Sequence, residues 1–139
     1  MRKKVVSATQ AIAILRDGDT LCCSGFGSNG VPDELILALE KRFQETGSPR
    51  DLTLLFGGGP GDGAKGGANR LAHEGLLRRT IGGHYGMLPQ IRRLALDGKI
   101  QAYNLPLGVV SHLYRDIACG LPGTVSKVGL GTFVDPRQE

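Results

Sequence analysis

The sequence predicts an α/β fold: an open, mostly parallel sheet with helices on both faces. Short apolar runs alternate with stretches whose apolar residues recur every three or four positions, the pattern of βαβ units. Glycine-rich or proline-containing turns follow four of those short runs, and right-handed crossovers would carry the helices over the two faces. At 139 residues the chain has about the length of one domain. It can bury roughly 70% of its unfolded surface without disulfides. No repeat or linker breaks it, so residues 1–139 read as a single domain.

The elements follow in order. Ser7 is a good N-cap, and Gln10 completes a capping box three residues on. Ala8, Ala11, Ile12 and Leu15 keep helical spacing up to Gly18. Thr20 to Ser24 reads as a buried strand. Pro32 suits the first helical position, Asp33 and Glu34 suit the positive end of the helix dipole, and Gly47 closes that helix. Leu35, Ile36, Leu39 and Phe43 form its apolar stripe. Leu52 to Phe56 is a second buried strand. A short helix spans about Ala68 to Glu74 and ends at Gly75. Arg79 to Ile81 is a third strand, Met87 to Asp97 a helix with Ile91, Leu94 and Ala95 inward, and Ile100 to Asn104 a fourth strand. Val110, Leu113 and Ile117 mark one face of a last helix, which stops near Gly120. Lys127 to Val134 reads as extended. The chain ends on Phe133-Val-Asp-Pro-Arg-Gln-Glu139 without a clear final element, so a fragment, or a half that needs a partner, is part of the expectation.

Composition narrows the function classes. No run approaches the ~20 apolar residues of a membrane span, and Met1-Arg-Lys-Lys4 lacks the apolar core of a signal peptide. The net charge of +4 is small and scattered, aromatics are 5% and Trp is absent. Stacking platforms for nucleic acid are therefore scarce, and no nucleic-acid partner is expected. Cys22, Cys23 and Cys119 form no C-x-x-C pair, and the odd count favours a reducing cytoplasm. Glycine is the outlier: 22 residues, about twice the usual ~7% share.

Ligands of open α/β sheets bind beyond the carboxyl ends of the strands. That rule selects four loops: Gly25-Phe-Gly-Ser-Asn-Gly30, Gly57 to Gly67, Gly82-Gly-His-Tyr-Gly86 and Asn104-Leu-Pro-Leu-Gly108. Glycines there allow close approach of a ligand to the backbone, although tight turns alone would also use them. Gly25, Gly27 and Gly30 match G-x-G-x-x-G. The helix start at Pro32-Asp33 and the absence of an acidic residue closing the second strand count against a dinucleotide module. No G-K-[ST] is present. His73, His84 and His112 lack metal-ligand spacing, and Ser24 and Ser111 have no G-x-S-x-G context.

Several stretches carry a family likeness. Ser24-Gly-Phe26 with Gly30-Val-Pro32-Asp-Glu-Leu35 resembles the early glycine-proline motif of family I coenzyme A transferases. Thr46-Gly-Ser-Pro-Arg-Asp-Leu-Thr53, Leu71-Ala-His-Glu-Gly75, Ile81-Gly-Gly-His84, Ala102-Tyr-Asn-Leu-Pro106 and Lys127-Val-Gly-Leu-Gly-Thr-Phe-Val-Asp-Pro-Arg137 resemble the acyl-CoA:acetate/3-ketoacid subgroup, which includes propionate CoA-transferase. The likeness runs along essentially the whole chain. It implies the N-terminal half of an enzyme that moves CoA from an acyl-CoA to a short-chain carboxylate through a glutamyl-CoA thioester. The nucleophilic glutamate would belong to the other half, since none of Glu34, Glu40, Glu45, Glu74 or Glu139 sits in the family's glutamate motif.

On that likeness the chain supplies no catalytic residue and no metal ligand, and it is not expected to act alone. It needs no cofactor, the CoA thioester being substrate. Its partners are acyl-CoA, a small carboxylate, and a C-terminal half or a second copy of itself. Substrate-facing residues are expected at Gly25, Phe26, Asn29, Gly30, Gly58, Gly83, His84, Asn104, Leu107 and Gly108. The family usually has Gln where Leu107 stands, so an amide donor is lost. A stand-alone, truncated, non-enzymatic binding or scaffold protein is the alternative, and an oxidoreductase module a more distant one.

Overall fold

The computed structural model describes residues 4–138. A four-stranded, all-parallel sheet forms its centre, in the order β1 (Thr20–Phe26), β2 (Leu52–Gly58), β3 (Leu77–Gly82), β4 (Gln101–Asn104). Every crossover steps the same way, so right-handed connections place their helices on one face. That face carries α1 (Ala8–Ile12), α2 (Asp33–Thr46), a 3-10 turn (Ala68–Leu71) and α3 (Pro89–Leu96), packed in sequence against one another. Helix α4 (Leu107–Ala118) follows β4 and returns across the opposite face to lie against β2. Helices thus cover both faces, but unequally.

Local chemistry sets the helix ends. Ser7 Oγ accepts the Gln10 backbone N–H at 3.2 Å, and Gln10 Oε1 accepts that of Ser7 at 3.0 Å. The reciprocal pair satisfies two donors that would otherwise be orphaned. Helix α1 is only five residues long and ends well before Gly18. Pro32 is the N-cap of α2 rather than its first residue, and Gly47 caps it in the left-handed conformation, donating to the Phe43 carbonyl at 2.7 Å.

The core lies under the helix-rich face. Alternation along β2 sends Leu54 and Phe56 there, to meet Ile12, Ile36, Leu39, Leu71, Leu88 and Ile91, all buried. Gly82 pairs in register with Phe56, and any side chain on it would overlap the Phe56 ring. Tyr85 packs edge-on to that ring at 5.1 Å, and its hydroxyl lies 3.0 Å from both Thr80 Oγ1 and the Tyr103 carbonyl oxygen.

Four further expectations change. The first strand extends to Phe26 and buries only Cys23, because it is an edge strand with α4 covering little of its far face. The short helix near Ala68 is one 3-10 turn. In α4 only Val110 is buried, while Ile117 faces solvent. Residues 127–134 are not extended but coil in successive turns, with Leu130, Thr132 and Asp135 donating to the carbonyls of Lys127, Gly129 and Thr132. Local i→i+3 bonds satisfy that backbone, so no sheet partner is needed. Among the described residues no helix is long and apolar enough to cross a membrane.

Candidate functional site

Because all four strands run parallel, their carboxyl ends share one edge of the sheet, and the loops that leave them meet there. The first loop turns tightly: Phe26 and Asn29 exchange backbone bonds at 3.0 and 3.1 Å, and Ser24 Oγ donates to the Gly30 carbonyl at 3.0 Å. Gly27 N–H then reaches the Gly59 carbonyl at 3.2 Å, tying the first loop to the second. The Phe26 ring lies over Gly58, where a Cβ would come within 2.8 Å of Cδ2. The ring itself remains 66% exposed.

Gly59 joins the second loop to the third. Its φ is +69°, and a Cβ there would sit 2.6 Å from the His84 carbonyl oxygen, so only glycine satisfies both the conformation and the approach. Gly83 joins the third loop to the second and the fourth. A Cβ on it would lie 2.7 Å from the Gly57 carbonyl oxygen, 2.8 Å from Leu107 Cδ1 and 3.1 Å from Leu107 Cα. Leu105 N–H donates to the Gly82 carbonyl at 3.0 Å, which docks the fourth loop directly.

The residues expected at the site are therefore brought together unevenly. Gly25, Phe26, Asn29, Gly30, Gly58, Gly83, His84 and Leu107 belong to loops in direct mutual contact. Asn104 ends β4 beside Gly82. With Gly83, Leu105 and Pro106 it lines a cleft of about 290 Å³ closed by Val128 and Val134. Gly108 does not join them. It opens on a different hollow, between α4 and Thr124 to Val128.

The electrostatics of this rim are carried by the backbone. In the second loop Asp62 accepts the Ala64 and Gly66 N–H groups at 2.8 and 2.9 Å, and these bonds hold its carboxyl below the usual carboxylate range. Buried Asn69 pins the same loop to α3, donating to the Gly66 and Met87 carbonyls and accepting the Gln90 N–H. The glutamates with partners are engaged elsewhere: Glu40 with Arg70 and His73, Glu45 with Lys41, Glu74 with Lys99. Glu139 lies outside the described residues. No grouping of His, Cys, Asp or Glu among the described residues could hold a metal ion.

Sequence reasoning missed two contributors. Tyr114 presents a buried hydroxyl without a hydrogen-bond partner, 3.7 Å from where a Gly57 Cβ would stand. Burial, and then the nearby Cys22 thiol, push its pKa up to about 12. The available signal was spacing: Leu107, Val110 and Tyr114 form an i, i+3, i+7 stripe. The other contributor is the 128–134 segment, whose turns put Val128 and Val134 on the cleft beside Asn104.

Comparison with known proteins gives this geometry a context. The family described as Coenzyme A transferase matches residues 5–139. The acetate CoA-transferase YdiF of Escherichia coli K12 is 42% identical over 140 residues, which is 99% of this chain and 26% of that protein. The acetate CoA-transferase subunit alpha of the same strain is 31% identical over 141 residues, all of this chain and 60% of the subunit. A crystal structure of the YdiF acyl-CoA transferase from Escherichia coli O157:H7, in a thioester complex with CoA, superposes with a TM-score of 0.91 at 41% identity over 95% of this chain and 27% of that one. The chain thus spans about a quarter of the length of YdiF.

Proposed function

The chain belongs to the coenzyme A transferase family, and on that premise we propose that residues 1–139 form one domain carrying the acyl- and carboxylate-facing side of a shared transferase site. Acyl-CoA and a short-chain carboxylate are the substrates, and no separate cofactor takes part. The attacking glutamate comes from polypeptide outside the matched stretch and carries CoA as a glutamyl thioester. Three unpaired cysteines, two of them adjacent, suit the reducing cytoplasm in which such an enzyme would work.

One observation carries the reading: the loops after four parallel strands converge on one rim through contacts made largely by backbone. A thioester carbonyl under attack develops negative charge, and fixed donors aimed at that charge stabilise it more than they stabilise the ground state. This rim offers glycine backbone for close approach, the Phe26 ring as an apolar wall, and a cleft beside Asn104 of a size that admits a short acyl chain. It offers no free glutamate in the loops themselves, which agrees with a nucleophile supplied from elsewhere. A binding protein without turnover is favoured by one feature: Leu107 lays an apolar side chain over Gly57 and Gly83, where the family's glutamine would present an amide.

The test is complementation. Mixed with a matching C-terminal half of a transferase, the chain should support exchange of CoA between propionyl-CoA and acetate. Leu107→Gln should then raise the rate by about 10²-fold, the worth of one well-aimed donor. A stable complex without exchange, unchanged by L107Q, would select the binding protein.

A further inference from the structure

Among the described residues one buried side-chain oxygen lacks a hydrogen-bond partner, the hydroxyl of Tyr114. A dry, unpaired hydroxyl is costly, and such groups persist in native structures for a reason. Its position supplies one. Helix α4 starts at the rim with Leu107 and runs back across the sheet, with Leu107, Val110 and Tyr114 on one stripe. Helical side chains lean toward the N-terminus of their helix, so the Tyr114 ring reaches back toward Leu107. Both side chains end over Gly57: a Cβ there would lie 3.6 Å from Leu107 Cδ1 and 3.7 Å from Tyr114 Oη. Leu107 Cδ1 also stands over Gly83, 2.8 Å from where a Cβ would lie. The spot that position 107 serves is thus bordered by a spare donor from further along the same helix.

We propose that Tyr114 supplies the donor that position 107 lacks: when Leu107 turns aside, the Tyr114 hydroxyl hydrogen-bonds the substrate oxygen that gains negative charge at Gly57 and Gly83. The proposal rests on the functional reading above. Leu107 is 53% exposed and lies in the first turn of α4. Exposed side chains change rotamer within nanoseconds, far faster than enzymes turn over. Burial pushes the hydroxyl up to about 12, so it keeps its proton at neutral pH and acts only as a donor. No bond of the tyrosine breaks. Competition for that proton is weak, because the nearby Cys22 thiol is a poor acceptor. In a slot that excludes water, a donor aimed at developing charge favours the transition state over the ground state.

The test pairs Tyr114→Phe with L107Q in the enzyme complemented by a matching C-terminal half. Y114F should lower kcat for exchange between propionyl-CoA and acetate by at least about tenfold, with KM little altered. In the L107Q background that cost should shrink to under about threefold, because the amide then serves the same oxygen. The melting temperature of the isolated chain should stay level or rise with Y114F, since the change removes an unpaired hydroxyl and keeps the ring. With tyrosine labelled at Cζ in this chain alone, the Tyr114 resonance, identified by its absence from Y114F, should move on addition of propionate.

An unchanged kcat, an equal cost of Y114F in both backgrounds, or a Tyr114 resonance that propionate leaves in place would overturn the proposal. So would a fall of more than about 4 °C in melting temperature with Y114F, which would show that a bound water or the Cys22 thiol already holds the hydroxyl. A stable complex without exchange would reject the functional reading. The Tyr114 resonance would then decide alone: movement with propionate keeps the hydroxyl as a donor to a bound carboxylate, and no movement overturns the proposal as well.

Discussion

Gly83→Ala tests whether the loops meet as described. Gly83 is outside the left-handed region, so the cost of a methyl group there is steric rather than conformational. Of its three nearest neighbours, the Gly57 carbonyl oxygen at 2.7 Å and Leu107 Cα at 3.1 Å are backbone, and only Leu107 Cδ1 at 2.8 Å can rotate away. The end of β2 and the start of α4 must separate, at a cost of about 1–3 kcal/mol for overpacking. For a domain of this size that is a fall of roughly 4–12 °C in melting temperature. Urea unfolding gives a second measure, and Leu107→Ala isolates the flexible contact. In the L107A background the cost of G83A should shrink by about 0.5–1 kcal/mol and not vanish, because the two backbone contacts persist. In the complemented enzyme, displacement of these loops by about 1 Å should lower thioester exchange by about 10²-fold. An unchanged urea midpoint for G83A, or a cycle without coupling, would show that the third loop does not contact β2 and α4 in this way.

Other consequences are simpler to read. The Cys23 thiol is pushed up to about 11, chiefly by burial and then by Cys22 and Asp33, so iodoacetamide at pH 8 should alkylate exposed Cys22 and Cys119 and reach Cys23 only after denaturation. Peptide masses giving equal labelling of all three would contradict that. Asp135 is buried, pairs with Arg137 and accepts the Gly131 N–H at 2.7 Å, and the Arg137 guanidinium first, then the Gly131 N–H, lower its pKa from the usual 3.8. A lowered carboxyl contributes stability above its ordinary pKa and loses it as pH falls through and below that value. The 129–138 turns should therefore loosen below about pH 4, seen as faster exchange of the Gly131 amide, and Asp135→Asn should already be loose at pH 7. Phe26→Ala should change stability by under ~0.5 kcal/mol, because the ring is mostly exposed. In the complemented enzyme it should raise KM for acyl-CoA several-fold with kcat little altered. A fall in kcat alone would place Phe26 outside the binding wall.

How much of this was legible in the sequence follows from the range of each interaction. The capping box of Ser7 and Gln10 lies within four residues, so both partners fall in one reading window. The same holds for the left-handed cap at Gly47 and for the positions of the four strands. That the four loops would share one rim also followed, since parallel strands end on the same edge. Which loops touch did not. The contacts of Gly59 with His84 and of Gly83 with Leu107 depend on β2 lying beside β3 and β3 beside β4, an ordering the apolar pattern alone does not encode. Tyr114 was passed over for the same reason: its hydroxyl becomes an orphan only because α4 folds back over Gly57. The 128–134 segment alternates like a strand, yet its backbone is satisfied by local turns.

The misreading of β1 is the most instructive. Leu21-Cys22-Cys23 is a run that belongs in the interior of a sheet, and it reads as buried for sound reasons: no charge, no proline, and a continuous apolar stretch of the kind found where strands are covered on both sides. In the structure the strand stands at the edge, with Cys23 alone buried. Edge strands under selection against mispairing carry charges, prolines or bulged, shortened ends. The register irregularity between Cys23 and Phe26 distorts only the carboxyl-terminal end, where the glycine turn begins, and leaves Thr20 to Cys23 regularly paired and uncharged. An apolar run without charge or proline thus reads as interior even where, among the described residues, the strand has a neighbour on one side only.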